Sequence, residues 1–202
     1  MSVSTSKLAT APRNRRSNDS RVRLLAAARK LFVERGYHAT RPQDISREAG
    51  LGHGTFYLHF PDKKSCFLVF AEQARDELDA HLKARAAHAR DLPTAVRAVL
   101  EGTHEYSLAH PGVLDTAMMD SSVIGADGDG TTLLVDLWAR EWAAPLRAQY
   151  GVGGELDHDD AGIIGAAIVG MIHEGSAYGR RHGKSPERVF DLLTRLILRA
   201  LR

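Results

Sequence analysis

His53, Gly54, Thr55, Tyr57, His59 and Lys63 bring imidazole, hydroxyl, phenol and ammonium groups together on one short stretch of chain. Groups of these types donate to phosphate oxygens and base edges, and a glycine among them lets backbone come close to a partner. Acid–base or metal chemistry finds no comparable arrangement. The ten histidines include no His-Glu-x-x-His, the single cysteine, Cys66, precludes paired-cysteine zinc ligation, and no Gly-x-Ser-x-Gly elbow occurs. His158-Asp159-Asp160 opens a helical stretch, where acids complement the helix dipole. Gly183-Lys184-Ser185 has the close of a phosphate-binding loop, but Tyr178 stands where its first glycine is required. Asp127 and Asp129 lack the first ligand and the distal glutamate of a calcium loop. The sequence thus predicts no enzyme, no metal site and no cofactor.

The elements that must hold the donors in place read as two short helices joined by a sharp turn. For the first there are two possible starts: Thr40 and Gln43 fit a capping box, whereas Pro42 as first helical residue makes Arg41 the cap. Ile45 and Ala49 mark its inward face, and Gly50 ends it in a left-handed conformation. A second helix opens at Gly52 or His53, anchored by Phe56 and Phe60, with His53, Gly54, Thr55, Tyr57 and His59 on or near its outer face. A short helix of small and polar donors, held at an angle by a glycine turn, has the geometry that enters a DNA major groove. Ahead of this pair, Leu24, Leu25, Ala28, Leu31 and Phe32 define a helix over residues 20–35 that Gly36 stops. Arg21 and Arg23, near its start, are expected phosphate contacts. Residues 1–19 hold hardly any large apolar group and read as a flexible basic arm, whose Arg13, Arg15 and Arg16 either reach DNA or stay solvated.

These segments resemble a known family. LLAAARKLFVERGYHAT, then DISREAGLGHGTFYLHF, then DKK are similar, in register and without gaps, to the DNA-binding domain of tetracycline-repressor (TetR) family regulators. The likeness runs from about Arg23 to Lys64, the first third of the chain. Arg41-Pro42 and Leu51-Gly52-His53 depart from the usual residues, at positions where operator preference is set. The resemblance implies an all-α protein: a three-helix helix-turn-helix DNA-binding domain over residues 20–64, then a helical ligand-binding and dimerisation domain over residues 65–202. It gives Lys63 a phosphate-binding role. The expected DNA contacts are therefore Arg41, Gln43, His53, Gly54, Thr55, Tyr57, His59 and Lys63, the first two at the start of the helix-turn-helix.

Charge supports the same division. Residues 1–65 carry 13 Lys/Arg against 5 Asp/Glu, a formal +8, and the remainder carries −6. Segregation of positive charge onto the helix-turn-helix half is the electrostatic footprint of a DNA binder. No signal peptide and no run long enough to span a bilayer is evident, so the expected setting is the bacterial cytoplasm, near the nucleoid, without membrane contact.

Beyond the donors, Pro61-Asp62 starts a long connecting helix to about His88, with Phe67, Leu68, Phe70, Ala71, Ala74, Leu78 and Leu82 inward and Cys66 as an inert buried thiol. Further helices follow over 92–109, 112–121, 133–149, 157–179 and 185–201, with loops at 125–130 and 151–154. Gly162, Gly165, Ala166 and Gly170 leave room for close backbone approach in the penultimate helix. The last helix is apolar on two sides, one for its own core and one for a second copy, with Leu193 as a partner-facing candidate. Large or adaptable groups around the expected centre, His104, Met118, Met119, Trp138, Trp142, His173 and Tyr178, suit a small hydrophobic effector or form plain core. The expected function is a repressor that binds a near-palindromic operator as a homodimer and is released by that effector. The alternative is a nucleoid or division-control DNA binder of the same fold, with a packed core and no cavity.

Overall fold

A helix can begin on a proline without loss, because the missing N–H is one that the first turn leaves unpaired anyway. In the computed structural model, which describes residues 11–119, 138–140 and 158–200, α1 spans Ala11–Ala39 and α2 (Pro42–Glu48) is the helix that opens on a proline, Pro42. Residues 11–19, expected in a flexible arm, are helical instead. Gly36 interrupts α1 with φ 79° and ψ 164°, where the sequence places its stop. Thr40 is fully buried, and its hydroxyl lies 2.8 Å from the Gly36 carbonyl and 3.2 Å from that of Leu31. That occupation rules out the Thr40 capping box: α2 spans Pro42–Glu48 with Arg41 as its cap and proline in its first turn. A 3-10 helix follows over His53–Leu58. Then α3 (Lys63–Ala86) starts where the Asp62 carboxylate accepts the Ser65 N–H at 2.6 Å.

The chain forms two compact units, residues 1–72 and 73–202. Their junction lies inside α3, eight residues beyond the division expected at 64/65. In the first unit, Leu24, Ala28, Leu31 and Phe32 of α1 are buried, as are Ile45 of α2 and Phe56 and Phe60 after it. Phe32 meets Phe67 edge-on at 5.2 Å and Phe70 at 5.8 Å, and Tyr37 meets Phe67 at 5.0 Å. Burying each such ring contributes about 1.5–3 kcal/mol, and each aromatic pair about 0.5–1.5 kcal/mol more. Cys66 is completely buried there, and burial pushes its thiol pKa up to about 12, so it is held protonated and inert.

In the second unit, α4 (Leu92–Ala109) begins with a reciprocal capping box: Asp91 accepts the Thr94 N–H at 2.9 Å, and Thr94 Oγ1 accepts the Asp91 N–H at 3.3 Å. α5 spans Val113–Met119, α6 His158–Arg181 and α7 Pro186–Ala200, the last after Ser185 as expected. Val96 and Leu100 of α4, Ile168 and Ile172 of α6, and Phe190, Leu193 and Ile197 of α7 make one core. Arg85 and Arg97 both reach Glu101, and Arg97 also pairs with Asp191, but these ion pairs are solvent-accessible and each contributes at most about 1 kcal/mol. The apolar contacts hold the unit together.

Two glycines seat α7 on α6. A Cβ on Gly175 would stand 2.9 Å from a Leu193 methyl, and one on Gly179 would stand 2.6 Å from a Val189 methyl. Of the four small residues singled out in the sequence, Gly165 is tightly packed, since a Cβ there would collide with the Ala139 carbonyl, whereas Gly162 and Gly170 face open space. The loops at 125–130 and 151–154, with Asp127 and Asp129, lie outside the described residues, as does the 133–149 helix except for residues 138–140.

Leu193 corrects the sequence-based choice of partner-facing residue, because it is 6% exposed and belongs to the protomer's own core. A carboxylate there loses its hydration among the apolar side chains of that core. Leu193→Glu is expected to lower stability by about 4 kcal/mol or more, read as a shift of the urea midpoint. A variant that stays as stable as the parent and merely changes assembly contradicts this packing.

Candidate nucleic-acid interface and effector cavity

The turn between α2 and the 3-10 helix is built from backbone. The Gly50 N–H bonds to the Arg47 carbonyl at 3.0 Å and the Leu51 N–H to the Ser46 carbonyl at 2.9 Å, closing a Schellman motif. Its pivot is Gly50 at φ 64°, a conformation a side chain would strain. The chain then leaves through Gly52 into residues 53–58, where Thr55 N–H to Gly52 carbonyl (2.9 Å) and His59 N–H to Phe56 carbonyl (3.0 Å) set the tighter winding. Sequence reasoning expected an ordinary helix. Gly54 and β-branched Thr55 favour the α form weakly, and the segment is short enough for 3-10 geometry.

Phe56 is fully buried and stacks with Phe60 at 5.5 Å, which fixes the segment by its inner side. His53, Gly54 and Tyr57 are exposed and Thr55 and His59 half-buried, with His53 edge-on to Tyr57 at 6.3 Å. Arg41 and Gln43 are exposed at the start of α2. Leu58, assigned no role from sequence, is 80% exposed on the same segment. An apolar side chain so open to water suits contact with a thymine methyl, and its place next to Tyr57 was the available signal.

The cations expected to hold phosphates make contacts within the protein. Lys63 donates to the Tyr37 carbonyl at 2.8 Å and lies 4.1 Å above the Tyr37 ring. Arg21 sits over the Phe60 ring at 5.4 Å, and Arg23 donates to the Ala49 carbonyl at 2.5 Å. For Lys63 and Arg23 the reason is local: carbonyls at the ends of α1 and α2 have no helical partner and attract the nearest positive charge.

The second unit contains a cavity of roughly 80 Å³ lined by Leu78, Asp79, Leu82, Thr103, Leu114, Met118, Trp138, Val169, Ile172 and His173. Of the residues proposed from sequence, Met118, Trp138 and His173 are brought together. His104 packs edge-on against Phe190 at 5.5 Å, and Tyr178 is 55% exposed and stacked on His182 at 4.2 Å; neither lines the cavity. The side chains of Met119 and Trp142 lie outside the described residues. Leu78 and Leu82 were legible as the inner face of the connecting helix, but nothing in their spacing distinguishes a cavity wall from a filled core.

At the cavity edge His173 Nε2 donates to Asp115 Oδ1 at 3.1 Å, while Arg180 stands 3.7 Å from the same oxygen. The hydrogen bond from His173, and then the charge of Arg180, hold the Asp115 carboxyl below its ordinary range despite partial burial. A depressed folded-state pKa contributes stability above the unfolded value that disappears as pH falls through the folded one. Asp115→Asn is therefore expected to melt earlier than the parent near pH 7, with the two converging below about pH 4. Equal melting temperatures at neutral pH contradict the contact.

A sequence profile described as bacterial regulatory proteins, tetR family, matches residues 24–69. The HTH-type transcriptional activator FasR of Mycolicibacterium smegmatis is 31% identical over 98 residues, 46% of this chain and 45% of that protein. The chain spans less than half the length of the curated relatives it matches. Among solved structures, the TetR family regulator PfmR of Thermus thermophilus is 28% identical with a TM-score of 0.61, over 89% of this chain and 99% of that one. The fatty acid degradation regulator FadR of Bacillus halodurans has the same fold, with a TM-score of 0.65 at 16% identity over 95% and 97% of the two chains. The match over residues 24–69 covers both α2 and the 3-10 helix, and the helical fold recurs across nearly the whole of these structures: the chain carries the DNA-binding domain of the tetR family of bacterial regulatory proteins.

Proposed function

We propose that this chain is a transcriptional regulator, a repressor that binds a near-palindromic duplex as a homodimer and is released by a small hydrophobic effector. The observation that carries the reading is the 53–58 segment, fixed from inside by Phe56 and Phe60 and presenting His53, Gly54, Thr55, Tyr57, Leu58 and His59 outward or part-way out. In this reading residues 20–64 are the DNA-binding domain and residues 65–202 the effector and dimerisation domain. His53, Gly54 and Thr55 approach base edges, with Arg41 and Gln43 beside them, while Tyr57, His59 and Lys63 hold phosphates. Two such segments one helical turn apart, about 34–36 Å, read the two half-sites.

The cavity favours effector control over the alternative of a nucleoid or division-control protein with a packed core. At roughly 80 Å³ it is smaller than the ~300–1,000 Å³ of ordinary ligand sites, so an effector of that size must displace a wall residue. Met118 is the adaptable one. α3 is the element available to transmit that change, since one unbroken helix carries Lys63 near its start and Leu78 and Leu82 of the cavity further on. The effector must bind the DNA-incompetent arrangement better, and a coupling of ~1–3 kcal/mol alters operator affinity ~5–150-fold.

Selection of duplexes from a random-sequence pool tests the DNA-binding role; failure to enrich any sequence overturns it. On the enriched duplex, Lys63→Ala is expected to weaken binding to all sequences alike and flatten the salt slope by about one unit, and an unchanged slope removes Lys63 from the phosphate contacts.

The homodimer rests on apolar side chains that the last two helices leave open: Ile163 and Tyr178 of α6, and Leu192 and Leu196 of α7, are between 43% and 68% exposed. Leu196→Glu is expected to give a folded monomer by sedimentation. A parent protein already monomeric at micromolar concentration overturns the dimer.

A further inference from the structure

Arg23 has a contact that the proposed DNA contacts do not use. It lies on the exposed side of α1, yet its guanidinium donates to two consecutive carbonyls of another helix end, Ala49 at 2.5 Å and Gly50 at 3.3 Å. These are the residues at which α2 stops and the chain turns toward residues 53–58. The Schellman bonds occupy the Ser46 and Arg47 carbonyls and leave those of Ala49 and Gly50 to find other donors. A planar guanidinium can donate to both from one position, and its charge meets the negative end of the α2 dipole. The fit is close: a Cβ on Gly50 would stand 3.0 Å from the same guanidinium nitrogen. Seven residues further along α1, Lys30 pairs with Glu48 Oε1 at 2.6 Å, so α1 grips the end of α2 at two points two turns apart.

We propose that Arg23 is a positioning residue of the helix-turn-helix, holding the Ala49 and Gly50 carbonyls and so fixing the direction in which residues 53–58 leave α2. This rests on the DNA-binding reading, and it reassigns a cation that the sequence marks as a phosphate ligand. The two roles differ measurably. A phosphate ligand contributes equally to every duplex and to the salt slope, because its loss removes one counterion-releasing contact. A positioning residue affects only binding that depends on the angle of the reading segment, which is sequence-specific binding.

The test compares full-length parent, Arg23→Met and Arg23→Lys on the duplex enriched by the parent and on a shuffled duplex of the same composition. Arg23→Met is expected to lose about tenfold on the enriched duplex, the size of one charge-assisted hydrogen bond, and little on the shuffled one. Its salt slope is expected to shift by less than about half a unit. Arg23→Lys keeps the charge but not the fork, and is expected to recover only part of the discrimination. Equal loss on both duplexes with a slope lower by about one unit identifies a phosphate contact and overturns the proposal; so does full recovery by lysine. Amide exchange without DNA gives an independent readout: Gly50 to Thr55 are expected to exchange faster in Arg23→Met while Phe67 and Phe70 do not change. Unchanged exchange at the turn overturns the proposal. Failure of the pool to enrich any duplex instead overturns the DNA-binding reading, and the exchange result still decides what Arg23 holds.

Discussion

A helix of six residues has no stability of its own, since the cost of nucleation is never recovered over so short a length. Residues 53–58 must therefore take their shape from what they lean on. That support comes from Phe56 and Phe60, which stack on each other and are buried, and from the backbone turn at Gly50. Two neighbouring helices support that arrangement. The face of α1 that carries Leu24, Ala28, Leu31 and Phe32 provides apolar depth, and the start of α3 adds Phe67 and Phe70.

Helix ends create the second demand. Three helices stop or start within about thirty residues, and each leaves backbone groups that must be paired or wetted. Side chains meet part of that demand: Thr40 beside the Leu31 and Gly36 carbonyls, Arg23 for those of Ala49 and Gly50, Asp62 for the Ser65 amide, and Lys63 for the Tyr37 carbonyl. The basic character of this unit is thus partly structural. A positive charge in a DNA-binding domain is not automatically a phosphate ligand.

Periodicity and turn chemistry made the frame legible. Ile45, Phe56 and Phe60 as inward residues, Gly36 and Gly50 as breaks, and Asp62 and Ser185 as caps all follow from local rules, which operate over a few residues. Long-range pairing was not legible. Nothing at positions 23 and 49 signals that they meet, and Thr40 satisfied a capping pattern while its hydroxyl was needed elsewhere. The same limit applies to α7, whose apolar residues lie on two sides. Which side faces inward depends on Gly175 and Gly179 of α6, the places where Leu193 and Val189 fit. A filled core and a cavity wall also share one composition, so Leu78 and Leu82 read alike in either role.

The two units meet within α3, with no loop at the junction, and this constrains how such a protein can change by insertion or deletion. Around Glu72-Gln73 each added residue turns the rest of α3 by about 100° about its axis and advances it by about 1.5 Å. Surface loops absorb length changes at small entropic cost, but a residue inserted into a continuous helix shifts every later helical position by more than a quarter turn about the axis. Seven residues, close to two full turns, nearly restore the phase. Chimaeras that join this first unit to a foreign second one therefore need matching helical phase at the seam as well as compatible sequences. Lineages that exchanged one half while keeping the other would be expected to show seam lengths clustered near whole turns.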